Sequence, residues 1–177
     1  MSNREPKPGV IILGSARGDG NTAKIAEFLA AHTQFSVVDL LAYDFGQYDY
    51  QHRNQGDDFA DLLEGLMDYP VWIFATPVYW YSMSGTMKKF FDRMTDLLDL
   101  HPKAKMALAG MHLGLVCCSS DAEPIPHFEL PFRETAIYMS MSWLGHRHTW
   151  VEEGQIPERV VQELVEFAGV ARAAIAK

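Results

Sequence analysis

The sequence predicts an α/β three-layer sandwich, a five-stranded parallel sheet with helices on both faces, and three observations lead there. Five short apolar runs alternate with stretches of helical periodicity in the order βαβαβαβαβα. The runs are near-continuous in apolar residues instead of alternating with polar ones, as in parallel strands buried on both faces. No internal repeat, low-complexity tract or Pro/Gly/Ser-rich linker divides the 177 residues, so the chain reads as one domain, 1–177, behind a polar N-terminal extension, 1–8. Crossovers between parallel strands are right-handed, and the ligand of such a sheet sits beyond the carboxyl ends of the strands, where strand order reverses.

Each element has its own signal. Residues 9–14 (GVIILG) read as the first strand, and 21–32 as a helix with Ile25, Phe28 and Leu29 on its buried stripe. Residues 35–40 (FSVVDL) form the second strand. A long aromatic-polar loop, 43–55, follows, and loops of that length are functional or part of an interface. The next helix spans about 57–68, with Asp57 or Asp58 capping its start. The third strand is 70–76 (PVWIFAT). The clearest helix is 84–100, with Met87, Phe90, Phe91, Met94, Leu97 and Leu98 on one side. The fourth strand is 113–119, a helix follows at 131–141, the fifth strand is 143–150, and the last helix is 157–176 with proline in its first turn.

Composition narrows the function classes. A formal charge of −8 without clustered lysine and arginine argues against nucleic acid as a partner. Every apolar run is cut short by glycine, proline or a charge before the roughly 18 residues of a membrane span. The run at 10–13 stops at Gly14, too soon for an export signal, so a soluble, cytoplasmic protein is expected. The adjacent Cys117 and Cys118 cannot build a disulfide framework and read as core residues of a reducing compartment.

The loop Gly14-Ser15-Ala16-Arg17-Gly18-Asp19-Gly20-Asn21-Thr22 runs from a buried strand straight into a helix N-terminus, which favours an anion. Gly18 and Gly20 allow close backbone approach, while Ser15, Asn21 and Thr22 donate hydrogen bonds and Arg17 offers a charged fork. That set suits a terminal phosphate dianion. A P-loop would need lysine where Asn21 stands. Gly18-x-Gly20-x-x-Ala23 with Asp39 downstream also matches the dinucleotide fingerprint, so that alternative stays open beside a bare glycine-rich turn.

After the third strand, Thr76-Pro77-Val78-Tyr79-Trp80-Tyr81 can hold a flat ring, with Pro77 fixing the turn, backbone amides of 78–80 meeting polar ring atoms and aromatic side chains covering an apolar face. One of the three aromatics is expected at a subunit contact instead.

The pair GSARGDGNT and TPVYWYSMSGTMKKFFDR resembles the NADPH-dependent FMN reductase family of flavodoxin-like proteins, and the resemblance covers most of the chain. It implies a flavodoxin-like fold with FMN as cofactor and NADPH or NADH as hydride donor. It implies an oxidoreductase that passes hydride to FMN and on to a quinone, flavin or similar small-molecule acceptor. By that resemblance Ser15, Arg17, Gly20, Asn21 and Thr22 hold the phosphate, and Thr76, Pro77, Val78, Tyr79 and Trp80 line the isoalloxazine. Gly85, Lys88 and Asp92 match the helix signature that follows; Lys88 and Asp92 read as a surface pair, and a side chain at Gly85 is expected to obstruct the helix start. The flavin carries the chemistry, so no catalytic residue is named.

The sequence departs from its relatives in two places. Ser119-Ser120-Asp121 stands where many have a glycine-rich segment, which leaves Ser119 and Ser120 to reach the ring edge and Asp121 to disfavour an anionic reduced flavin. The related iron-sulfur flavoproteins carry a cysteine cluster before an Asp-Asp helix start, whereas residues 43–56 hold none, so no cluster or metal is expected. His146 and His148 fall on one face of the fifth strand and read as a polar sheet end or a subunit contact. Exposed aromatics and the large apolar count of helix 84–100 predict a homodimer or homotetramer. An electron-carrying flavodoxin that does not oxidise NAD(P)H, or an interaction protein that has lost flavin, are the other classes weighed.

Overall fold

Alternation along each strand divides the apolar residues between two cores, one on each face of a parallel sheet. In the computed structural model, which describes residues 7–100 and 106–175, Val10, Ile12, Trp72, Phe74 and Leu115 enter one core while Ile11, Leu13, Ile73, Ala75 and Val116 enter the other. This is why the strands read as unbroken apolar runs. The parallel strands are β1 (Val10–Leu13), β2 (Ser36–Asp39), β3 (Val71–Tyr79), β5 (His112–Ser119) and β6 (Ser142–Trp150), in the order β2-β1-β3-β5-β6. A two-residue strand β4 (Ser82–Met83) folds back antiparallel on the end of β3. The chain leaves β1 in one direction to reach β2 and in the other to reach β3, so strand order reverses between β1 and β3.

The helices are α1 (Asn21–Thr33), α2 (Phe59–Met67), α3 (Gly85–Leu100), α4 (Leu130–Tyr138) and α5 (Glu158–Ile175), with a short 3-10 turn at Leu40–Ala42. Residues of α1 and α5 fill one core, and residues of α2, α3 and α4 the other. On α3, Met87, Phe90, Met94 and Leu97 are buried, and Phe91 and Leu98 pack half-buried against the same core, so these six apolar residues are consumed within the chain. Trp72, fully buried, donates its indole N–H to the Leu66 carbonyl at the end of α2, 2.9 Å away.

Three expectations are corrected in detail. The third strand runs three residues past Thr76, because β1 ends opposite Ala75 and Pro77 therefore costs β1 no ladder bond. The helix expected to 141 stops at Tyr138, with Ser140 at φ +59 and Met139 and Met141 turning into the core. The excess apolar surface expected on helix 84–100 is not found among its described side chains, because the six apolar residues named all pack into the core. Residues 1–6 of the expected extension and Ala176 of the expected last helix lie outside the described residues.

Candidate functional site

The first loop is built to leave a helix end open. Gly20 stands at the N-cap of α1 in extended conformation, no side chain caps the helix, and its first turn holds no acidic residue. The first amides of a helix have no intrahelical partner, so they face outward with the positive end of the dipole. Arg17 lies over the same spot: a Cβ added to Gly20 would come within 3.3 Å of its Nη2. Ser15 is buried, and its Oγ accepts from the Arg17 amide at 3.3 Å, which shapes the turn.

A relay of short bonds fixes this loop to the next one. Ser84, at the start of α3, donates its hydroxyl to the Gly14 carbonyl at 2.5 Å and accepts from the Met87 amide at 3.0 Å. The Ser84 amide in turn donates to Thr76 Oγ1 at 3.1 Å. Thr76 is thus fully buried, and its hydroxyl holds the frame together instead of facing the cavity. Gly14 is required by this contact, because a Cβ there would sit 2.7 Å from Met87 Cε and 2.9 Å from its Cβ. A Cβ on Gly85 would meet nothing within 4 Å, so the obstruction expected there belongs to Gly14.

The carboxyl ends of β1, β3 and β5 enclose a cavity of about 210 Å³ lined by Ser15, Arg17, Gly20, Asn21 and Thr22, by Pro77, Val78 and Tyr79, and by Cys118, Ser119 and Ser120. Beside it lies a larger cavity of about 580 Å³, between Val78, Trp80 and Tyr81 on one side and Ser119, Ser120, Asp121 and residues 123–126 on the other. Val78, Ser119 and Ser120 belong to both, so the two form one cleft with a polar, cationic end and a broad apolar end. Every residue assigned from sequence to the phosphate or the ring lines this cleft except Thr76. Trp80 and Tyr81 form the tip of the β3–β4 hairpin, both at positive φ, +48° and +61°. Such a turn favours Asn-Gly, and aromatic residues there hold strain that is common at functional sites.

Sequence reasoning missed one of the walls: Cys118, read as core, also faces the smaller cavity, with burial raising its pKa and the Thr22 hydroxyl against its thiol. Asp121, expected near the ring, lines the larger cavity; hydrogen bonds from the Glu123 amide and Ser120 hydroxyl, both 3.0 Å, lower its pKa and keep it ionised. The long 43–55 loop lines neither cavity. It is tied down through Arg93 of α3, which bonds Asp57, Asp96 and the carbonyls of Gly46 and Asn54, while His52 Nδ1 meets Asp96 at 3.0 Å. Lys88 and Asp92 form the expected surface pair, 2.5 Å apart. Among the described residues no group of three His, Cys, Asp or Glu is arranged to hold a metal, and no helix is long and apolar enough to cross a membrane.

A cleft at the β1/β3 switch point, with an anion seat at one end and space for a flat ring at the other, matches the sequence comparison. The family model for NADPH-dependent FMN reductase matches residues 9–148. The chain belongs to that family. FMN is accordingly the cofactor and NAD(P)H the hydride donor. A Bacillus subtilis protein provisionally named NAD(P)H-dependent FMN-containing oxidoreductase YwqN is 27% identical over 172 residues, 92% of this chain and 93% of its own. An FMN-dependent NADPH-azoreductase of Staphylococcus aureus is 27% identical over 135 residues, 71% of this chain and 69% of its own. Among solved structures, the Trp repressor binding protein of B. subtilis shares the fold with a TM-score of 0.67 at 24% identity, covering 92% of this chain and 96% of that one.

Proposed function

We propose that this FMN reductase relative holds FMN along the joined cleft, with the phosphate at the start of α1 and the ring between the Val78–Tyr81 hairpin and the 119–126 segment. The observation that carries the reading is the continuity of the two cavities through Val78, Ser119 and Ser120, which joins a donor-rich end to an apolar end in one ligand-sized space. FMN, when bound, supplies the redox chemistry, taking hydride from NAD(P)H and passing electrons to a quinone, flavin or similar acceptor. The protein's part is position and field. Arg17 and the first amides of α1 neutralise the dianion, with Ser15, Asn21 and Thr22 as further donors around it. The ionised Asp121 beside the ring cavity opposes additional negative charge there.

The reading extends to assembly and place. Trp80 is 94% exposed and Tyr81 78%, on a turn held at positive φ, which supports a homodimer or homotetramer formed over this hairpin. A mass above the monomer in light scattering is expected, and a monomer mass across micromolar concentrations contradicts it. The two free, buried thiols on adjacent residues suit a reducing cytoplasm. The cofactor reading is tested by titrating the protein with FMN and with riboflavin, following flavin fluorescence. FMN should bind at least about tenfold more tightly, because riboflavin leaves the anion seat unused. Equal affinity would remove the phosphate from this loop.

A further inference from the structure

One side chain braces a wall of the cleft from a strand that lines neither cavity. The register of β5 on β6 slips between Leu113, opposite Trp143, and Leu115, opposite His146, and Gly145 in the break has φ +99°. This bulge adds one residue to β6, and a one-residue slip turns every later side chain to the other face. His146 and His148 therefore share the face of Leu115 and Cys117, and Arg147 is sent the other way, over the Phe167 ring. His148 ends with Nε2 at 3.1 Å from the Asp121 carbonyl and 3.1 Å from Ser119 Oγ, and Nδ1 at 3.7 Å from Cys117 Sγ.

The donors follow from the acceptors. A backbone carbonyl only accepts, so Nε2 carries the proton, and in the imidazole tautomer protonated there Nδ1 is the acceptor for the Cys117 thiol. Burial pushes that thiol up to about 12, so it keeps its hydrogen. Ser119 donates to the Asp121 carbonyl at 2.6 Å and accepts from the Asp121 amide at 3.3 Å. An imidazole that already donates from Nε2 is no base for Ser119, which sets aside a hydrolytic Ser–His pair.

We propose that His148 is a positioning residue for the cofactor cleft: its Nε2–H clamps the Ser119–Asp121 turn from behind, and Cys117 sets the tautomer that makes this possible. The proposal rests on the FMN reading for its consequence, since the clamped turn is a wall of both cavities. Glutamine places an N–H near the histidine Nε2 position and asparagine near Nδ1, so the two substitutions separate the clamp from simple polarity.

The test uses the whole chain in two arms. Without flavin, His148→Asn and His148→Phe should speed amide exchange at Asp121 and Glu123 by about tenfold, leave α1 amides unchanged, and His148→Gln should stay near the parent. With FMN, the Asn and Phe variants should bind about five- to twentyfold more weakly and the Gln variant within about twofold of the parent. Unchanged exchange in His148→Phe, or equal behaviour of the Gln and Asn variants, overturns the clamp. If the parent itself fails to bind FMN, the cofactor reading falls and the exchange arm alone decides whether His148 holds the turn.

Discussion

Arg17 lies in an exposed loop, yet its guanidinium is drawn over Gly20 at the uncapped end of α1, where positive potential from two sources meets. Removing it should weaken FMN by about 1.5–3 kcal/mol, one to two decades in affinity, because a charge-assisted bond to the dianion is lost. Arg17→Lys should recover part of this, since lysine keeps the charge and loses the planar fork. Fluorescence titration of the three proteins checks the order, and parent-like affinity in Arg17→Ala would show the arginine to be idle. Residues such as Arg17, Asn21 and Tyr79 were legible in the sequence because a loop between a buried strand and a helix, or after a central strand, has one place to go. His148 was not. Its face depends on the bulge at Gly145, and reading the strand as regular gives the right pairing of His146 with His148 and no sign of what they meet.

At the scale of elements, the 43–58 segment shows how a long loop is held without regular structure. Arg93, with 3% of its side chain exposed, bonds Asp57 and Asp96 and takes the Gly46 and Asn54 carbonyls, while its guanidinium stacks 4.6 Å over Phe59. Asp57 also accepts from the Gly46 and Phe59 amides, so it closes the loop and caps α2 together. Burial pushes its carboxyl up, but the bonds from Arg93 and the two amides outweigh that and hold its pKa below the usual value. A carboxyl depressed on folding stabilises fully above its unfolded value, about 3.9, and loses that contribution as pH falls through the lower folded value. The melting temperature of Asp57→Asn should therefore lie below the parent's at neutral pH, with the gap closing below about pH 4. A gap constant from pH 7 to about pH 3 contradicts the ion pair. Of the two residues offered as a helix start signal, Asp57 takes the Phe59 amide, while Asp58 at the N-cap position makes no capping bond and accepts from the Asp44 amide instead. The partner Arg93 was not legible in the sequence, because on α3 it reads as one more charge beside Asp92 and its burial depends on a segment 36 residues away.

For the molecule as a whole, strand order and family agree. The order β2-β1-β3-β5-β6 places the open end of α1, the strained hairpin and the 119–121 turn side by side at the switch point, and residues 9–148 match the FMN reductase model. The parallel α/β class was legible because the three central strands, β1, β3 and β5, each feed two cores and so read as near-continuous apolar runs. The hairpin β3–β4 was not, because Pro77 resembles a strand end and only the early termination of β1 lets β3 run on. The central claim is that this cleft passes hydride from NAD(P)H to FMN, releasing NAD(P)+, and the direct measurement is the absorption spectrum of the FMN-loaded protein, recorded anaerobically before and after adding NADPH or NADH. Bleaching of the flavin band within seconds by at least one of the two nucleotides, with colour restored by a quinone, is the expected result; bound FMN that neither nucleotide bleaches would contradict it and leave an electron carrier in place of a reductase.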